Sequence, residues 1–173
     1  MADKRKAAIG QLESAILLWF HEADPISILV LASHAHDCYH ALGKKRGKPS
    51  WFQEFTDKMP RSFRERGKYI QDFAKHGFKD LNEMARFETI WADALMLLSI
   101  ERHGDIYGPP MRPLMALYFT RALSEHPRWT PNRQSFPQAL LDSGIIEDVA
   151  QGTRKQCFDS FLPLFETAFA ALG

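Results

Sequence analysis

Apolar residues recur every three to four positions along most of this chain. No stretch alternates apolar with polar at period two, so the pattern predicts helices and no strands. Ile9, Leu12, Ile16, Trp19 and Phe20 form one apolar stripe on a helix over about 5–22. Asp24 and Pro25 restart the chain, Asp as a favoured N-cap and Pro as a favoured first helical residue. The second helix, about 25–42, is apolar around most of its circumference at Ile26, Ile28, Leu29, Val30, Leu31 and Ala32, which predicts a central place in a bundle. Gly43 is its expected stop. Ser50 with Gln53, and Ser62 with Glu65, have capping-box spacing. They predict a short helix closed by Pro60 and a longer one over about 62–76 that Gly77 ends.

Asp80 and Glu83 open a helix over about 81–103, with Phe87, Trp91, Leu95 and Leu98 on it and Gly104 as its stop. Gly108-Pro109-Pro110 makes 105–112 a loop. A helix over about 113–125 stops before Pro127, and 127–137 is irregular. Short helices around 137–142 and 145–151 precede a last helix over about 153–172, which Pro163 is expected to kink or divide. The expectation is an all-α bundle of about six or seven helices in one domain, 1–173. Its core spans 5–103 and a helical extension 113–172, the latter too short to bury much core alone.

Composition narrows the function classes. Hydrophobic residues are 45% and charged residues 25% of 173, an ordinary soluble balance. Lys+Arg number 22 against 21 Asp+Glu, so no global field draws the chain to nucleic acid or membrane, and only a local basic patch would do so. The apolar run from Ile26 to Ala32 is too short to span a bilayer, and Gln11 and Glu13 interrupt the N-terminal segment that a signal peptide would need. Cys38 and Cys157 lie in apolar helices outside any C-x-x-C, which predicts buried free thiols in a reducing cytoplasm. Trp91 and Phe165 read as core. Phosphate-binding loops, dinucleotide fingerprints, nucleophile elbows and paired E-x-x-H motifs are absent from the sequence.

The densest candidate chemistry is Gln71-Asp72-Phe73-Ala74-Lys75-His76-Gly77. On a helix Asp72 and His76 share a face at i, i+4, where a carboxylate orients an imidazole and favours its cation, as does a helix C-terminus. This outline resembles the Arg-Asn-x-x-x-His-Gly signature of HEPN-type helical proteins, many of which are metal-independent RNases or toxins. The stretch 9–103 also resembles an uncharacterised bacterial family with a DPIS-like helix start, here Asp24-Pro25-Ile26-Ser27, and a segment like Q-N-F-F-K-H-A-D-x-D. Asp72 replaces that family's Asn, and Gly77 and Phe78 its Ala and Asp. The resemblance implies a HEPN-like core and a homodimer in which His assists proton transfer and Arg stabilises charge on phosphate. Gln71 stands where that Arg belongs and supplies no positive charge, so the motif speaks more for ancestry than for catalysis.

The leading expectation is therefore a non-catalytic binding or interaction module without a cofactor. The alternatives are an RNase using His76 with Asp72, Lys75 standing in for the Arg, and a metal-binding protein using His36 and His40. His36 and His40 are i, i+4 on one helical face beside His34 and Asp37, and His21 or His76 could complete a ligand set; Gln71 is a further ligand-binding candidate. Arg121-x4-His126 fits the HEPN spacing literally, with Ala122 at its polar position and Pro127 after the His, and reads as a solvated helix end. Lys44, Lys45, Arg46 and Lys48, with Arg61, Arg64, Arg66 and Lys68, form the one basic footprint for RNA or nucleotide, offset by Glu54, Asp57 and Glu65.

Overall fold

The computed structural model describes residues 3–47, 89–108, 111–126 and 144–171, and the single positions 61, 62, 65, 69 and 72. Among them are six helices and no strand: α1 (Lys4–Phe20), α2 (Pro25–Lys45), α3 (Ile90–Tyr107), α4 (Pro113–Glu125), α5 (Ile145–Val149) and α6 (Arg154–Ala170). The protein is an all-α bundle.

Local chemistry accounts for most boundaries. Asp24 caps α2 by accepting from the Ser27 amide at 2.8 Å and hydroxyl at 2.7 Å, with Pro25 in the first turn. Thr153 and Gln156 form a reciprocal capping box at the start of α6. Two expected stops lie inside helices instead. Gly43 is buried in α2 because the Arg102 guanidinium crosses it; a Cβ there would sit 2.8 Å from Nη2. Gly104 is an interior residue of α3, and Gly108, with φ 72°, ends the helix by donating to the Gly104 carbonyl at 2.7 Å. Pro163 does not divide α6. It is solvent-exposed, so water can satisfy the carbonyl that loses its partner. The helices expected at 50–60 and 137–142, most of 62–76, and 81–88 lie outside the described residues.

Four helices make the bundle. Arg5 at the start of α1 and Arg46 at the end of α2 both stack on Tyr107 at the end of α3. At the opposite end, Trp19 of α1, Ile28 of α2 and Ala92 of α3 line one cavity. So α1 runs antiparallel to α2 and α3. α4 runs parallel to α1: Arg112 before it binds Glu13, Tyr118 packs on Trp19, and His126 after it reaches Asp93 at the start of α3.

The sequence pattern pointed to the second helix as the central one. In the fold α2 keeps an exposed side at Ile26, Asp37 and His40, whereas every residue of α4 from Met115 to Leu123 is buried. α4 is enclosed because α1 and α3 cover one side of it and α5 and α6 another. Thr120 and Ser99 are tolerated in the interior because each hydroxyl donates to the carbonyl four residues back, at 2.8 and 2.7 Å. Trp19, Phe20 and Tyr118 pack edge to face with centroids 4.8 to 6.4 Å apart, a geometry worth about 0.5–1.5 kcal/mol per pair beyond burial. Cys157 is buried and free, its thiol pushed up to about 11 by burial; Cys38 is half-buried and free. No helix among the described residues is long and apolar enough to cross a membrane.

Candidate functional site

Of the residues in the 71–77 motif, only Asp72 is described, as an exposed helical residue; Gln71, Lys75 and His76 lie outside the described residues. His36 and His40 do share a face of α2, with ring centroids 6.4 Å apart and planes 25° from parallel. His36 is buried and its Nδ1 lies 3.9 Å from Asp37. Burial, then the charges of His36 and Arg102, push the His40 pKa down. A fixed guanidinium beside the pair opposes a second cation there. Among the described residues no group of three His, Cys, Asp or Glu side chains is placed to hold a metal.

Arg121 and His126 come apart in role. Arg121 is buried, not solvated as its place at a helix end suggested. Its Nη1 donates to the carbonyls of Val149 at 2.6 Å and Gln151 at 3.2 Å, and its Nη2 to that of Gly152 at 3.0 Å. Its Nε binds Glu125 at 2.8 Å, so the side chain clips the turn between α5 and α6 onto α4. His126 Nε2 lies 3.0 Å from the buried carboxylate of Asp93. Arg121 is engaged by backbone carbonyls and Glu125, and His126 by Asp93, so the two residues of the literal Arg-x4-His bind different partners.

The fold assembles a different group at the other end of the bundle. Lys4, Arg5 and Lys6 begin α1; Lys44 and Lys45 end α2, followed by Arg46; Arg112 precedes α4. Tyr107 joins two of them. Arg5 lies 4.3 Å and Arg46 4.9 Å from its ring centroid, and Arg46 also donates to the Ile106 carbonyl. Arg112 grips Glu13 with two hydrogen bonds, at 2.5 and 3.3 Å. Beneath this layer Tyr39 and His103 meet at 2.9 Å, both buried. Burial, then the charges of Arg112 and Arg5, push the His103 pKa down. Burial raises that of Tyr39. The neutral imidazole and the phenol that keeps its proton share one hydrogen bond, whose direction follows the imidazole tautomer. The Lys44–Arg46 part of this patch was legible as a basic loop. The contribution of Lys4, Arg5, Lys6 and Arg112 was not, since about forty to a hundred residues separate them in the chain. Arg61, the described residue of the second expected basic cluster, is paired with Glu65 at 2.7 Å.

No protein-family model, curated protein or solved structure matches the chain.

Proposed function

We propose that this chain is a non-catalytic binding module that holds RNA by its phosphate backbone at the cationic end of the bundle. The observation that carries this reading is the start of α1. Asp3 caps the helix by accepting from the Arg5 amide, but the first turn itself holds Lys4, Arg5 and Lys6 and no acid, although the positive end of a helix dipole favours acids there. Each cation so placed costs about 0.3–1 kcal/mol, and the cost makes sense where a polyanion is to be met. Arg46 and Arg112 are held by a carbonyl, an aromatic face and a carboxylate, so their forks are pre-positioned. Tyr107 is covered by two guanidinium groups, which leaves backbone phosphate, not base stacking, as the mode of contact. The reading suits the resemblance to HEPN-like bundles, many of which act on RNA, and the absence of positive charge at Gln71 suits binding without cleavage. A homodimer of that kind would present two such surfaces.

Fluorescence polarisation with a labelled single-stranded RNA oligomer tests this directly. Engagement of about four to five phosphates gives a slope near −3 when log affinity is plotted against log salt. The fourfold variant Lys4→Glu/Lys6→Glu/Lys44→Glu/Lys45→Glu, all exposed positions, loses at least about tenfold in affinity. Equal binding by that variant, or no saturable binding at low salt, sinks the proposal. Incubation of the same RNA with chelator present separates module from enzyme: cleavage that disappears in His76→Ala would make the protein an RNase.

A further inference from the structure

The opposite end of the bundle holds a cavity of about 290 Å³, at the low end of the roughly 300–1,000 Å³ of small-molecule sites. Among the described residues its walls are of two kinds. Ala23, Pro25, Ile28 and Ala92 supply apolar surface beside the buried ring of Trp19. Arg154, Thr89 and Glu22 supply polar groups of opposite character.

Arg154 is fixed with its guanidinium carbon 3.8 Å from the centre of the Trp19 ring. Glu125 takes its Nη2 at 2.7 Å and its Nε at 3.4 Å. Its Nη1 has no partner among the described residues, so one edge of a rigid fork remains to be used. Thr89 precedes α3 without making the side-chain cap bond its position allows. Glu22 has an exposed carboxylate with no ion pair among the described residues.

The backbone at Glu22 adds an independent observation. Ala23 N donates to the Leu18 carbonyl and Glu22 N to that of Trp19, both at 3.0–3.1 Å, which is a Schellman ending of α1. Glu22 occupies its left-handed position, with φ 51°, and is the one non-glycine residue among the described residues with positive φ. Glycine is the usual occupant of that position. A glutamate held there, on the rim of a cavity that also contains an arginine, is backbone strain coinciding with a site.

We propose that this cavity binds a small zwitterion with an apolar side chain, of the α-amino acid class. The carboxylate meets Arg154 Nη1 and the Thr89 hydroxyl, the ammonium meets Glu22, and the side chain lies against Ile28, Ala92 and Trp19. A ligand with one charge leaves either the Glu22 carboxylate or the Nη1 edge of Arg154 unused, which is how the site selects.

Isothermal titration calorimetry with three probes tests this: L-leucine, isocaproate (no ammonium) and isoamylamine (no carboxylate). L-leucine binds saturably at about millimolar or better, and each singly charged probe is at least about tenfold weaker. Glu22→Gln brings leucine down to the level of isocaproate and leaves isocaproate unchanged. Thr89→Val and Arg154→Gln lower leucine towards isoamylamine; Thr89→Val keeps this arm readable where loss of the Glu125 pair unfolds the Arg154 variant. Equal affinity for the three probes, no saturable heat with leucine, or unchanged leucine binding by Glu22→Gln overturns the proposal.

Discussion

The two ends of this bundle handle charge in different ways. At the cationic end, Arg5 of α1 and Arg46 at the end of α2 stack on Tyr107, Arg112 before α4 holds Glu13, and lysines at the starts and ends of the helices stay in water. At the other end the charges are drawn inward and compensated. Arg121 is buried with four hydrogen bonds, Glu125 lies between Arg121 and Arg154, and the Asp93 carboxylate meets His126. The difference shows what each set of charges does. Exposed cations on helix ends contribute little to stability and much to long-range attraction. Compensated interior charges contribute nothing to a distant field, but they cannot be removed singly without leaving a partner unsatisfied. Each end also keeps one feature at a local cost: Lys4 to Lys6 against the dipole of α1, and Glu22 in the left-handed region.

The sharpest way to break this contrast is to remove a charge from the compensated end. Arg121→Met leaves the carbonyls of Val149, Gln151 and Gly152 and the carboxylate of Glu125 without their shared donor, so urea denaturation should show a loss of about 3–5 kcal/mol. A comparable loss from an exposed residue such as Lys44 would erase the distinction between the ends.

Acid titration separates them by pH. The folded pKa of His103 lies below its ordinary 6.5, first through burial and then through Arg112 and Arg5. The unfolded chain therefore takes up the proton first, and stability falls as pH drops below about 6.5. His40 shifts the same way, by burial and then by His36. At the other end burial raises the pKa of Glu125, but hydrogen bonds and charge from Arg154 and Arg121 outweigh it, so it sits below 4.5. Its contribution is complete above about pH 4.5 and is lost only as pH falls through the lower folded value. Unfolding free energy followed from pH 8 to 3 should therefore decline in two windows, and His103→Leu should shrink the upper one alone. A single decline below pH 4.5 would show that His103 does not titrate with folding.

The smallest effects run in the opposite direction. Glu22→Gly relieves the left-handed position and should raise stability by about 1 kcal/mol, or about 2–4 °C in Tm for a chain of this size. Lys4→Glu/Lys6→Glu should raise it by about 0.5–1 kcal/mol by restoring the sign the helix start favours. Each variant should at the same time weaken its own end's ligand, leucine for Glu22→Gly and RNA for the lysine pair. If either variant lowers stability, the residue is there for the fold and not for a ligand.

Much of the architecture could be read from residue order. Ile9, Leu12, Ile16, Trp19 and Phe20 at helical spacing and Asp24-Pro25 at a helix start act within a few residues, so their consequences are local and follow from sequence. The all-α class follows from the same periodicity. Positions whose meaning depends on a distant partner were misread. Gly43 looks like a helix stop until Arg102, 59 residues later, is placed across it, and Gly104 until Gly108 is seen to take that role. Arg121 looks like a solvated helix end until the turn between α5 and α6 supplies three carbonyls for it.

The candidate sites divide in the same way. By itself the sequence determined the helices, the basic run at Lys44–Arg46 and the i, i+4 facing of His36 and His40, because each depends on helical geometry over one or two turns. Only the tertiary structure decided that Arg5 and Arg46 share Tyr107, that Arg112 grips Glu13, that Tyr39 meets His103, and that Glu22 and Arg154 line one cavity. Such meetings depend on the direction in which each helix returns through the bundle. That direction is set by the summed burial of many weakly individual apolar side chains, and no single residue in the chain declares it.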